Sequence, residues 1–273
     1  MSESKPKVAV CLYGQLRGDE ETFSSIREHL VVPNEADVFV HTWSYKQERG
    51  EYIDIPDAIR SGIDFDMEDD VVGKIASKRA ILDEDKLRLL LDLLSPVRVL
   101  VEEQVSFDPT RYFLTEPQSK KSDLPRSSKG LCTLNSIRGY HRARSQTLTK
   151  LRAFEAIEDP YQYDVIFLTR NDLLFTSPIV LSPIDVIHFE TSGPDFVFDM
   201  CYFGSPDSIA AFSQMHHHLD GIYEKEGRGL SAEFNEWHSA TFAKMRGLPV
   251  RHFQFSRHLK HDPPRYHRGI KYS

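Results

Sequence analysis

Four consecutive segments near the start of the chain narrow the fold more than anything after them. Val8 to Tyr13 is an unbroken apolar run, and Gly14-Gln15-Leu16-Arg17-Gly18 follows as a tight turn. Asp19 to Leu30 then reads as a helix with Asp19 as its N-cap and Phe23, Ile26 and Leu30 on one face. Asp37 to His41 is apolar again and ends in Thr42-Trp43. Uninterrupted apolar strands belong to a sheet covered on both faces. Strand, glycine-containing turn, helix and strand is how a parallel sheet begins. The expected class is α/β, with a mixed, mostly parallel central sheet flanked by helices.

The later segments extend that pattern. Asp83 to Leu94 is Leu-rich and helical, stopped by Pro96, and Val97 to Val101 returns as a strand. Residues 106–130 are rich in Pro, Ser, Lys and Asp without a period, the signature of a lid, a binding loop or disorder. Thr133 to Glu158 reads as a long helix. Val186 to Thr191 and Phe196 to Phe203 read as strands, with Gly193-Pro194 as the turn between them. Ser205 starts a helix with Pro206 at its first position, and Ser231 starts another that runs to about Met245. Leu248 to Phe255 adds a last strand before a basic tail. No internal repeat or linker divides the chain, so 273 residues are expected to form one domain.

The stretch with the most chemistry is Tyr163-Asp-Val-Ile-Phe-Leu-Thr-Arg170-Asn171-Asp172-Leu-Leu-Phe175. Its buried-strand run breaks off in a cation, an amide and a carboxylate, groups that are costly to bury without partners. In α/β sheets ligands bind at the carboxyl ends of strands. An acid and an arginine there suit a metal-bridged diphosphate, and they equally suit a strand-end ion pair. The Gly14–Gly18 turn is a second candidate: N–H groups at a helix start, together with Arg17, form an anion site. Asp199, set in the apolar run Phe196 to Gly204, is a third. Glu233 and Glu236 follow Ser231 at the start of a helix, where acids also serve the helix dipole.

Met215-His216-His217-His218 does not read as a metal cluster, because adjacent helical side chains point about 100° apart. His41, at a core strand end, reads as a hydrogen-bonded core histidine. No GxSxG or HExxH pattern occurs, which counts against the standard hydrolase classes.

A formal charge of −7 argues against nucleic acid as a partner. The charge is uneven, with acids crowded into residues 51–70 and Arg251, Arg257, Lys260, Arg265, Arg268 and Lys271 near the end. Cys11, Cys132 and Cys201 show no metal or redox spacing, as expected of a reducing compartment. The polar start carries no leader pattern, and no run reaches the roughly 18 apolar residues of a membrane span. A cytoplasmic protein without a membrane span is the expectation.

Three blocks carry a family resemblance. They are Val8 to Arg17 with the Ala36 to Trp43 strand, Tyr163-Asp164 through Arg170-Asn171-Asp172 to Phe175, and Asp199 shortly before Phe203-Gly204-Ser205 and a helix. Together they resemble bacterial and large-virus glycosyltransferases of surface glycans, which have the nucleotide-diphospho-sugar transferase fold known as GT-A. The resemblance implies a GT-A-like, Rossmann-related domain over 1–273. Residues 1–105 would be its nucleotide-binding half and 131–250 its metal and acceptor half, with 106–130 a loop and 256–273 a basic tail.

It implies transfer of a sugar from a nucleotide-diphosphate donor to a hydroxyl of a glycan acceptor. Asp172 would hold Mn²⁺ or Mg²⁺ against the diphosphate. Gly14, Gln15, Arg17, Arg170, His267 and Arg268 would bind the nucleotide or diphosphate, and Asp199 or Glu233 would act as catalytic base. The chain departs from the family's Asp-x-Asp by having Arg170 where the first acid would stand, so Arg170 could take over part of the metal's work. Two alternatives use the same features: a sulfotransferase-like enzyme, and a non-catalytic nucleotide-sugar-binding subunit.

Overall fold

The structure is a computed structural model that describes residues 5–46, 80–102, 143–183, 187–193, 196–226, 235–253 and 257–259. Its centre is a seven-stranded sheet. β1 (Val8–Tyr13), β2 (Asp37–Trp43) and β5 (Arg98–Glu102) come from the first part of the chain. β6 (Val165–Arg170), β8 (Ile187–Gly193), β9 (Phe196–Gly204) and β10 (Val250–Phe253) come from the second. The spatial order is β10-β8-β9-β6-β1-β2-β5. β6, β1, β2 and β5 are mutually parallel, and β10 is parallel to β8. β9 runs antiparallel to both of its neighbours, β6 and β8. The sheet is therefore mixed and mostly parallel, as expected, and both parts of the chain share it. Short ribbons add β3 (Tyr45–Lys46) on β4 (Ala80–Ile81), and β7 (Leu173–Phe175) on β11 (Arg257–Leu259).

Helices cover both faces. Strand alternation sends Val8, Val10 and Leu12 to one side and Ala9, Cys11 and Tyr13 to the other, all buried. The first side packs on α1 (Glu20–Ile26) and α2 (Glu84–Leu94) through Phe23, Ile26, Leu90 and Leu94. The second packs on α3 (143–155), α4 (Pro206–Ser213), α5 (Met215–Glu226) and α6 (Asn235–Arg246) through Ala153, Ile209, Phe212, Leu219 and Phe242. Asp19 caps α1 in a reciprocal capping box with Thr22, and Ser205 caps α4 by accepting from Ser208.

α1 continues through a π-helical segment, Arg27–Val31, into Val32–Asn34. There the His29 carbonyl accepts the Ile179 N–H at 2.7 Å, while Asn34 bonds the backbone of Leu30, Ile179 and Leu181. This clamp fastens the segment after β7 onto α1.

The expected helix at Thr133 to Glu158 is helical over 143–155, and the expected Ser231 helix is helical from Asn235, the earlier residues of each lying outside the described ones. The 106–130 loop, the acidic 51–70 segment, Glu233, His267 and Arg268 also lie outside the described residues.

Candidate functional site

Winding away from β1 proceeds to β2 and β5 on one side and to β6 on the other. Between β1 and β6 the order reverses, and crevices at the carboxyl ends of such a pair are where open α/β sheets take ligands. Tyr13 and Arg170 are the last paired residues there. The Gly14–Gly18 turn and the Arg170–Asp172 segment therefore meet at the carboxyl ends of β1 and β6. β9 enters the same end: Thr169 pairs with Cys201, so the backbone of Asp199 lies two residues further on, level with Asn171. Asp199 is placed by its backbone alone.

Asn171 ties the two segments together. It is 1% exposed, and its Oδ1 accepts the N–H groups of Arg17 at 3.0 Å and Gly18 at 3.2 Å. Its Nδ2 donates to the carbonyls of Tyr13, Gly14 and Gln15, the last at 2.8 Å. From the other face Thr149 Oγ1 accepts the Gly14 N–H at 3.0 Å. Gly14 has φ +100°, a conformation that glycine adopts without strain. Gly18 is required for a different reason: a Cβ there would lie 2.2 Å from the Phe23 ring and 2.4 Å from the Asn171 carbonyl.

One expectation changes. The turn's N–H groups were expected to face an anion, but those of Gly14, Arg17 and Gly18 bond Thr149 and Asn171, and Asp19 N–H donates to Thr22 Oγ1. The cation of the turn is Arg17. Gln15 Oε1 accepts from its Nε at 3.2 Å and its Nη2 at 2.9 Å, which orients the guanidinium.

Asp172 is nearly buried, and Arg170 grips it by a two-pronged contact, Nε to Oδ1 at 2.8 Å and Nη2 to Oδ2 at 2.5 Å. Burial alone would raise its pKa. The charge and hydrogen bonds of Arg170, helped by the field of Arg17, outweigh that and hold the carboxyl below its usual value. The donors described here do not fit a resident Mn²⁺ or Mg²⁺: both Asp172 oxygens face Arg170 and the Asn171 oxygen faces the turn. Among the described residues no group of three or more His, Cys, Asp or Glu could hold a metal ion.

A polar network on the other side of the turn escaped the sequence reading, which had reached only His41. That ring is fully buried, with Nδ1 2.5 Å from Thr149 Oγ1 and Nε2 3.1 Å from Glu102 Oε2. Gly14 N–H can only donate and the carboxylate can only accept, so the directions follow: Gly14 N–H to Thr149, Thr149 O–H to Nδ1, and Nε2–H to Glu102. Burial pushes the His41 pKa down to about 4, against the raising effect of Glu102, and nearby Arg152 also lowers it. Arg152 Nε sits 3.3 Å from Glu102 Oε2, close enough for ion pairing but not aligned as a hydrogen bond.

Beside this network the buried Lys150 donates to the Tyr202 hydroxyl at 3.0 Å, with its ammonium 4.6 Å from the Tyr202 ring centroid. A sequence signal for Lys150 existed. Ala143, Thr147, Lys150 and Phe154 recur at helical spacing, which puts the lysine on the stripe that packs against the sheet. The histidine run is partly structural: His216 Nδ1 contacts Thr147 Oγ1 at 3.1 Å, while His217 and His218 are exposed.

No protein-family model matches the chain, and no curated protein matches its sequence. Among the described residues no helix is long and apolar enough to cross a membrane.

Proposed function

We propose that this protein is a cytoplasmic glycosyltransferase with a GT-A-like domain. It moves a sugar from a nucleotide-diphosphate donor to a hydroxyl of a glycan acceptor, in polysaccharide or surface-glycan synthesis. The observation that carries the reading is the meeting of the Gly14–Gly18 turn and Arg170 at the reversal point between β1 and β6. In this reading the nucleotide lies over the turn, with its diphosphate against Arg17 and Arg170. His267 and Arg268 of the basic tail are proposed as further diphosphate-binding residues.

Bond breaking leaves charge on the diphosphate, and preoriented guanidinium groups stabilise it more in the transition state than in the bound donor. The acceptor hydroxyl must lose a proton, and Asp199 or Glu233 is the proposed base. The backbone level of Asp199, beside Asn171, supports the first. The test is release of nucleoside diphosphate from a panel of nucleotide sugars, with and without glycan acceptors. Turnover of at least one donor supports the reading, and turnover of none, or transfer of sulfonate instead, contradicts it.

A further inference from the structure

We infer that this site takes a nucleoside diphosphate without a divalent ion, the Arg170 guanidinium filling the place beside Asp172 that a metal would occupy. The inference rests on the reading of the β1/β6 crevice as a nucleotide-sugar site. A divalent ion is needed where a carboxylate and a diphosphate meet and repel one another. At this crevice the carboxylate is already neutralised from within the chain, through two contacts of 2.8 and 2.5 Å to Arg170. Arg17 adds a second cation, near enough to depress the same carboxyl.

Arg170 and Arg17 thus place guanidinium groups beside the carboxylate, and guanidinium groups bind phosphate oxygens directly. The oxygens a metal would need are turned elsewhere. Those of Asp172 face Arg170, and that of Asn171 accepts the Arg17 and Gly18 N–H groups. Mg²⁺ demands near-octahedral oxygen ligation, and the side-chain oxygens of Asn171 and Asp172 are each already engaged by a neighbouring donor.

Isothermal titration of the full chain with UDP, GDP, ADP and dTDP, in EDTA and in Mn²⁺, tests the inference. The tightest of these ligands should bind in EDTA within about threefold of its affinity in Mn²⁺. Binding that appears only with Mn²⁺ or Mg²⁺ overturns the inference and leaves the nucleotide-site reading standing. Binding of none of the four under either condition removes that reading, and the inference with it.

Arg170→Ala adds a readout that a structural role would not give. It should lose about tenfold or more in EDTA and recover in Mn²⁺, because Asp172 is then released to ligate the ion. Unchanged binding of Arg170→Ala in EDTA overturns the inference. Should that variant fail to fold around a lone buried carboxylate, Arg170→Ala with Asp172→Ala removes both charges. The double variant should bind weakly with and without Mn²⁺, and wild-type affinity in EDTA would again overturn the inference.

Discussion

Asn171, at the end of β6, accepts the backbone N–H of Arg17 at 3.0 Å, so a side chain from one strand fixes the turn that follows its neighbour. The same amide also bonds Gly18, Tyr13, Gly14 and Gln15. Removing it strands several buried backbone groups at once. Asn171→Ala should lower stability by about 2–4 kcal/mol, read as a reduced midpoint in urea at constant slope. A change below about 0.5 kcal/mol would mean that the turn holds its shape without Asn171.

Thr149 holds the turn from the opposite face, between Gly14 and His41. Thr149→Val keeps the shape and removes the hydroxyl, so Gly14 N–H and His41 Nδ1 lose their partner. A loss of about 1–3 kcal/mol is expected, with Thr149→Ser restoring most of it. Nucleoside diphosphate affinity should follow the same order, and equal affinity for the Val and Ser variants would detach Thr149 from the site.

Gly14 and Gly18 should fail differently. Gly14→Ala meets open space but must hold φ +100°, for a strain of about 1–3 kcal/mol. Gly18→Ala meets the Phe23 ring and the Asn171 carbonyl, and the displaced turn should weaken diphosphate binding as well as stability. Wild-type binding by Gly18→Ala would show that the ligand does not rest on this turn.

The buried histidine predicts an acid-side instability. The folded pKa of His41, about 4, lies below its ordinary value of 6.5, so between these values the unfolded chain binds the extra proton. Its contribution to stability is complete above pH 6.5 and is lost as pH falls from there toward 4. His216, lowered to about 4 chiefly by burial, acts with the same sign. Urea melts across this range should show stability rising with pH, and His41→Gln should reduce the slope without abolishing it. An unchanged slope in that variant would place the titration elsewhere.

Much of this architecture was legible in the residues, for identifiable reasons. Val8 to Tyr13 and Val165 to Leu168 announce buried strands because both of their faces are apolar, and Asp19 and Ser205 announce helix starts through their capping oxygens. Placement of β9 between β6 and β8 was not legible, because pairings such as Thr169 with Cys201 join distant residues and leave no local trace. Nor did spacing show that Arg170 would fork onto Asp172, two residues away. Thr149 and Glu102 were missed because each looks like an ordinary surface polar residue until His41 is placed between them.

Asp199→Asn should keep donor binding and lose about a hundredfold or more in turnover, the scale expected for a general base. Wild-type turnover would leave Glu233 as the remaining candidate.

The central claim, that the crevice between β1 and β6 receives a nucleoside diphosphate, is tested most directly by amide chemical-shift mapping of the full chain during titration with UDP and GDP. Saturable shifts should concentrate at Gly14 to Gly18 and at Arg170 to Asp172. Saturable shifts confined to other parts of the sheet, or none with either nucleotide, would contradict the account.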